Sequence, residues 1–195
     1  MRRASIHRKT KETDIKVELT IDGSGRHTIN SGVAFLDHML SQVALHGLFD
    51  LKLEADGDLE IDSHHTVEDC ALALGQAFDS ALEQRKGIQR MASATVPMDE
   101  AIATVSLDFS GRSYTVLDLA WAEPNIGGVP SSLLAHFFES FAATGKANLH
   151  ASIPYGRNGH HQAEALFKAF GRSLDQATQL DPRRQGAVPS TKGQV

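Results

Sequence analysis

The chain has 195 residues, 41% of them hydrophobic and 22% charged, so it carries material for a sizeable core and lacks a disordered composition. A formal net charge of −5 gives no whole-chain attraction to nucleic acid or anionic membrane, and no apolar run is long enough to span a bilayer. A single cysteine, Cys70, excludes an intrachain disulfide and a thiolate-rich metal site, and the apolar stretch of a secretory signal is missing behind Met1, so the expected location is the cytoplasm.

Alternating Ile15, Val17, Leu19 and Ile21 predict a strand within residues 6–21. Asp22-Gly23-Ser24-Gly25 reads as a turn, with residues 26–30 as the return strand. Residues 33–46 place Phe35, Leu36, Met39, Leu40 and Val43 on one helical stripe that Gly47 stops. Residues 48–55 read as a strand, Asp56-Gly57-Asp58 as a turn, and a helix then runs to about residue 83. The order repeats with strands at 101–107 and 114–121, a Pro/Gly-bearing loop at 123–130, a helix at 133–141, a strand at 147–153 and a helix at 158–180.

Residue matches turn this repetition into an internal duplication. Asp22-Gly23-Ser24-Gly25-Arg26 pairs with Asp108-Phe109-Ser110-Gly111-Arg112, and Phe35-Leu36-Asp37-His38 with Leu133-Leu134-Ala135-His136. His-His-x-x-Glu occurs twice, as His64, His65 and Glu68 and, 96 positions later, as His160, His161 and Glu164. The expected fold is α+β: two units of one β-sheet plus two helices, with the helices packed between the two sheets. The units span residues 1–90 and 91–181, and a polar tail follows at 182–195.

A lone helical histidine is usually a surface or satisfied core residue. Six of the ten histidines here fall in matching positions of the repeat, which points to metal binding. The ligand set is His38, His64, His65, Glu68, His136, His160, His161 and Glu164, or three imidazoles and one carboxylate for each of two ions. Positions i and i+4 share a helix face, whereas adjacent histidines diverge by roughly 100°. One ion would then take His64, Glu68, His136 and His161, and the other His160, Glu164, His38 and His65. Nitrogen and oxygen donors without sulfur suit Mn, Fe, Co or Zn. Four protein ligands on an octahedral ion leave two positions for water or substrate. Asp62 and Asn158 are good N-caps, and a helix N-terminus favours the neutral imidazole that a metal requires. Such half-sites can also meet across a subunit interface.

The segments around His38, His46-Gly47-Leu48-Phe49-Asp50, 62–69 and 158–174, with Lys11-Glu12-Thr13 and the tail motifs Asp181-Pro182-Arg183-Arg184 and Pro189-Ser190-Thr191-Lys192-Gly193, resemble the imidazoleglycerol-phosphate dehydratase family of histidine biosynthesis. Ser63, Gly159 and Thr191 depart from the family pattern, and none is a ligand in it. The resemblance implies loss of water from imidazole glycerol phosphate to give imidazole acetol phosphate, with two Mn2+ per active site and 24 subunits whose contacts hold the metals. It implies a metal-bound imidazolate whose electrons expel hydroxide, with Glu12, His46 or Glu164 taking the carbon proton. It further implies Glu12 and Gln42 as substrate contacts, and Arg90, Arg112, Lys168, Ser190 and Lys192 as phosphate ligands. Arg112 follows a tight turn and Lys168 shares the Glu164 helix face, so both are expected to point at the metal site. The tail is expected to order over the bound phosphate. Two rivals use the same histidines: a binuclear metallohydrolase, with ions about 3.5–4 Å apart, and a metal-dependent assembly protein without turnover.

Overall fold

The computed structural model describes residues 1–193; Gln194 and Val195, the end of the expected tail, lie outside the described residues. The first half contains β1 (Arg3–Lys9), β2 (Thr13–Thr20), β3 (His27–Asn30), α1 (Ala34–His46), β4 (Asp50–Gly57) and α2 (His64–Leu82). The second contains β5 (Met91–Met98), β6 (Ala101–Asp108), β7 (Tyr114–Leu119), the short ribbon β8 (Asn125–Ile126) and β9 (Val129–Pro130), α3 (Ser131–Gly145), β10 (Asn148–Tyr155) and α4 (Gly159–Thr178). Among the described residues no helix is long and apolar enough to cross a membrane.

The two main sheets have the orders β1-β2-β4-β3 and β5-β6-β10-β7, one pattern used twice. Each begins with an antiparallel hairpin and ends with a parallel pair, β3 with β4 and β7 with β10. The expected hairpin between β2 and β3 is therefore corrected. Ser24 N, Ser24 Oγ and Arg26 N all donate to Asp50 Oδ1, at 2.8, 3.1 and 3.2 Å, so the start of β4 captures the turn and lays β3 alongside itself. A parallel pair needs a long crossover, and α1 and α3 supply it.

Two strands of the main sheets were not expected, and the loop expected at 123–130 carries the short β8–β9 ribbon. Residues 6–21 are split by a turn at Thr10, Lys11 and Glu12 into β1 and β2, and β5 is the corresponding edge strand of the second half. Neither carries a row of large buried side chains, since β1 alternates between exposed and half-buried and β5 buries only Ala94.

The inner faces of the sheets, led by Ile15, Val17, Leu51 and Leu53 on one side and Val105, Leu107, Leu149 and Ile153 on the other, enclose the four helices in one continuous core. The helices pair between halves, α1 with α4 and α2 with α3. Glycines allow the close crossings. A Cβ on Gly171 would stand 2.8 Å from Val43 O, and one on Gly75 would fall on the Phe141 carbonyl and 2.9 Å from Gly145 N. Phe78 of α2 packs edge-on to Phe141 of α3, and Phe138 and Phe141 pack edge-on to Phe170 of α4. Each half completes its core with side chains of the other.

Candidate metal centres

Cross-half helix pairing brings the histidines together. At the α1–α4 pair, His38 Nε2 and His160 Nε2 each lie 3.2 Å from Glu164 Oε2. At the α2–α3 pair, His64 Nε2 stands 3.7 Å from Glu68 Oε2, and His136 Nε2 stands 3.5 Å from Glu68 Oε1. Within each triplet the donor atoms lie within 4.8 Å of one another, and these are the two such groups among the described residues. The i, i+4 spacing puts His160 beside Glu164 and His64 beside Glu68, while the crossing helix contributes the third donor.

The surroundings of the two triplets differ. Glu164 is buried, and its Oε1 accepts a 2.6 Å contact from Lys168 Nζ. Burial acts to raise the Glu164 pKa, but Lys168, His38 and His160 outweigh it and hold the carboxyl below its ordinary value. At the position of Lys168, one turn after the glutamate, the other helix has Leu72, so Glu68 lacks this cation.

His65 and His161 join neither triplet within the chain. Each ring is turned nearly perpendicular to its neighbour, with interplanar angles of 84° for His64–His65 and 85° for His160–His161. His65 Nδ1 is 3.0 Å from Asp58 Oδ2, and His161 Nδ1 is 2.7 Å from Glu100 Oε2. These hydrogen bonds raise both histidine pKa values. In return, the bond from His161, helped by backbone N–H groups, holds the Glu100 carboxyl at about 2. The expected caps take slightly different forms. Asn158 accepts from His161 N as N-cap of α4, whereas Ser63 is the N-cap of α2 and Asp62 accepts from His64 N.

The remaining candidates fall into three places. Glu12 sits in the β1–β2 turn, its carbonyl accepting from Asp58 N at 3.1 Å, beside His65. His38, Gln42 and His46 form an i, i+4, i+8 strip of half-buried side chains on α1. Burial pushes the His46 pKa down, and Lys168 and Arg172 of α4 push it further. Arg90 and Arg112 lie at the opposite end of the second sheet. Arg90 adopts a left-handed backbone, pairs with Asp108 at 2.6 Å and donates to Pro189 O at 2.8 Å, which docks the segment carrying Ser190 and Lys192. Lys168 Nζ instead reaches Met98 Sδ, at the far end of β5 from Met91. At about 3.3 Å per residue, the length of β5 separates the two groups by roughly 20 Å. One chain therefore does not gather Arg90, Arg112 and Lys168 around one point. Asp58 and Asp108 read in sequence only as turn residues, and Glu100 has no motif around it. Only their contacts reveal them.

A family model described as imidazoleglycerol-phosphate dehydratase matches residues 31–174. The chain belongs to the imidazoleglycerol-phosphate dehydratase family. It is 58% identical to the imidazoleglycerol-phosphate dehydratase of Dehalococcoides mccartyi over 194 residues, covering 100% of this chain and 97% of the relative. Identity to that of Methanothermobacter thermautotrophicus is 54% over 195 residues, covering 100% and 98%. The crystal structure of the Pyrococcus furiosus dehydratase in complex with (S)-C348 superposes with a TM-score of 0.84 at 34% identity, over 97% of this chain and 100% of that one. The Staphylococcus aureus structure gives a TM-score of 0.82 at 30% identity, over 91% and 98%. The family is one of hydro-lyases of histidine biosynthesis, and the duplicated α+β fold is shared with its solved members.

Proposed function

We propose that this chain dehydrates imidazole glycerol phosphate to imidazole acetol phosphate, using two divalent transition-metal ions, with Mn2+ as the resident metal. The observation that carries this reading is the pair of matched triplets, each with two imidazole Nε2 atoms and a carboxylate oxygen converging within 4.8 Å. That donor set fits Mn2+, because it offers only nitrogen and oxygen and leaves positions open for substrate. His38, His160 and Glu164 would hold one ion and His64, Glu68 and His136 the other, with His65 and His161 of neighbouring copies completing the two sets. When bound, such ions supply Lewis-acid stabilisation of charge developing on the substrate ring.

The chain's own groups account for the rest. A carbon-bound proton and a hydroxide leave the substrate together as water, so a base must be free to accept the proton. Glu164 has both oxygens engaged, one by Lys168 and one by the two imidazoles. Among the described residues, no hydrogen bond or ion pair engages the Glu12 carboxylate, which favours Glu12 as that base. His46, whose pKa is lowered by burial and by Lys168 and Arg172, is the second acceptor. Gln42, between His38 and His46 on α1, is placed to contact the substrate ring or a hydroxyl. Lys168 supplies positive charge beside this strip; Arg90, Arg112 and Lys192 supply it from the other end of the second sheet, where Ser190 adds a hydroxyl donor. A phosphate is small, so groups roughly 20 Å apart along β5 serve it only when they come from different copies. This supports active sites at subunit contacts. An assembly of 24 copies, a cytoplasmic location and a 182–195 tail that closes over the phosphate complete the proposal. The test is a dehydration assay on imidazole glycerol phosphate. Chelation is expected to abolish turnover and Mn2+ to restore it, and no turnover by the Mn2+-loaded protein would overturn the reading.

A further inference from the structure

The two histidines left out of the triplets share a detail that repeat spacing does not explain. Both have Nδ1 bound by a carboxylate, and the two carboxylates come from unrelated places: Asp58 from the turn between β4 and α2, and Glu100 from the β5–β6 hairpin. We propose that Asp58 and Glu100 are positioning residues that hold His65 and His161 as Nδ1–H tautomers, so that each Nε2 presents its lone pair to a transition-metal ion. The inference rests on the proposed reading of these two histidines as metal ligands.

A carboxylate that accepts the second ring N–H of a ligating histidine fixes both its tautomer and its orientation. Glu100 is built to do this. Its Oε1 accepts from the backbone N–H groups of Arg157 and Asn158, at 3.1 and 3.0 Å, which leaves Oε2 for His161. Asn158 in turn caps α4 by accepting from His161 N. One network thus sets the helix start and the ring together. Asp58 is less constrained, with both carboxylate oxygens within 3.2 Å of His65 Nδ1. Glu139 also touches an imidazole, His136 Nδ1, at 3.1 Å, but its side chain is 56% exposed and sits on the same helix without further anchoring. It is not included.

The duplication adds a second argument. Glu100 immediately precedes β6, as Glu12 immediately precedes the equivalent strand β2. In the second half that position binds the histidine. In the first half Asp58 performs the task instead, and the Glu12 carboxylate is left unengaged among the described residues. One inherited position has been put to two uses, and Asp58 makes the division possible.

Glu100→Gln tests the proposal. The amide oxygen stays with the two backbone N–H groups, and the NH2 then faces His161 and forces the Nε2–H tautomer. Nitrogen-15 NMR of histidine-labelled, metal-free protein at alkaline pH is expected to show that switch. Mn2+ titration followed by electron paramagnetic resonance is expected to show one class of site weakened by about 10–100-fold. His161→Ala separates the two levels of the argument. If it binds Mn2+ like the parent protein, the ligand reading fails. If it loses a site while a folded Glu100→Gln keeps the parent tautomer and affinity, the positioning role is overturned. Should Glu100→Gln not fold, Asp58→Ala carries the same two readouts at His65, with unchanged tautomer and affinity overturning the proposal.

Discussion

Lys168 faces two titrating groups at once. It contacts Glu164 at 2.6 Å and, with Arg172, acts on His46 across the α1–α4 crossing. Replacing Lys168 with Met removes one of the two cations but leaves the burial, so the His46 pKa is expected to rise while staying below 6.5. A proton NMR titration of the metal-free protein measures it directly, and an unmoved His46 would break the link between the two helices. The sign for stability follows. The His46 pKa is depressed in the fold, so acidification from 6.5 protonates the unfolded chain first and lowers stability until the folded pKa is passed. Above 6.5 the group contributes nothing. In sequence, the histidines and glutamates of both triplets were legible, because helical spacing and a 96-residue repeat leave a mark on the letters. Asp58, Glu100 and Asp108 were not, because their partnerships are made by turns and hairpins with no fixed spacing.

At the scale of elements, periodicity found all four helices. It found the main-sheet strands that bury large side chains, and it missed the edge strands β1 and β5, whose inward positions are small or half-exposed, and the two-residue strands β8 and β9, too short for a period to show. It also read a hairpin where Asp50 redirects the chain into a parallel pair. The helix crossings are where a single methyl group should matter most. Gly75→Ala would gain about 1 kcal/mol of helix propensity, but it drives a methyl onto the Thr144 hydroxyl and the Phe141 backbone at the α2–α3 crossing. Overpacking costs about 1–3 kcal/mol, and backbone cannot step aside as a side-chain end can. With the cost at the upper end of that range, a net loss of about 2 kcal/mol is expected in urea unfolding of the metal-free protein. Gly171→Ala has its nearest contact at 2.8 Å and should lose less. Equal stability of Gly75→Ala and parent would mean that the helices separate more readily than the crossing implies.

Across the whole molecule, the halves share one core, yet the polar groups expected around one substrate are dispersed over it. Arg90 is held at one end of the second sheet by Asp108 and Pro189, and Lys168 is held at the other by Glu164 and Met98. Sequence shows which residues are charged and which are repeated, but not which end of a strand each occupies. For that reason the expectation that both Arg112 and Lys168 point at the metal site holds within a single chain for Lys168, which reaches Glu164 at 2.6 Å, and not for Arg112. If the sites are built between copies, Arg90→Ala and Lys168→Ala each damage every site in their own assemblies, yet they damage different contributors. Mixing the two variants during assembly would let an intact Arg90 from one copy meet an intact Lys168 from another. With random, symmetric mixing about a quarter of the sites would be whole. The expected result is that two nearly inactive preparations regain on the order of a quarter of the parent kcat when assembled together, and none when simply combined after assembly. Failure to recover in verified mixed assemblies would place all the groups that act on one substrate within a single chain.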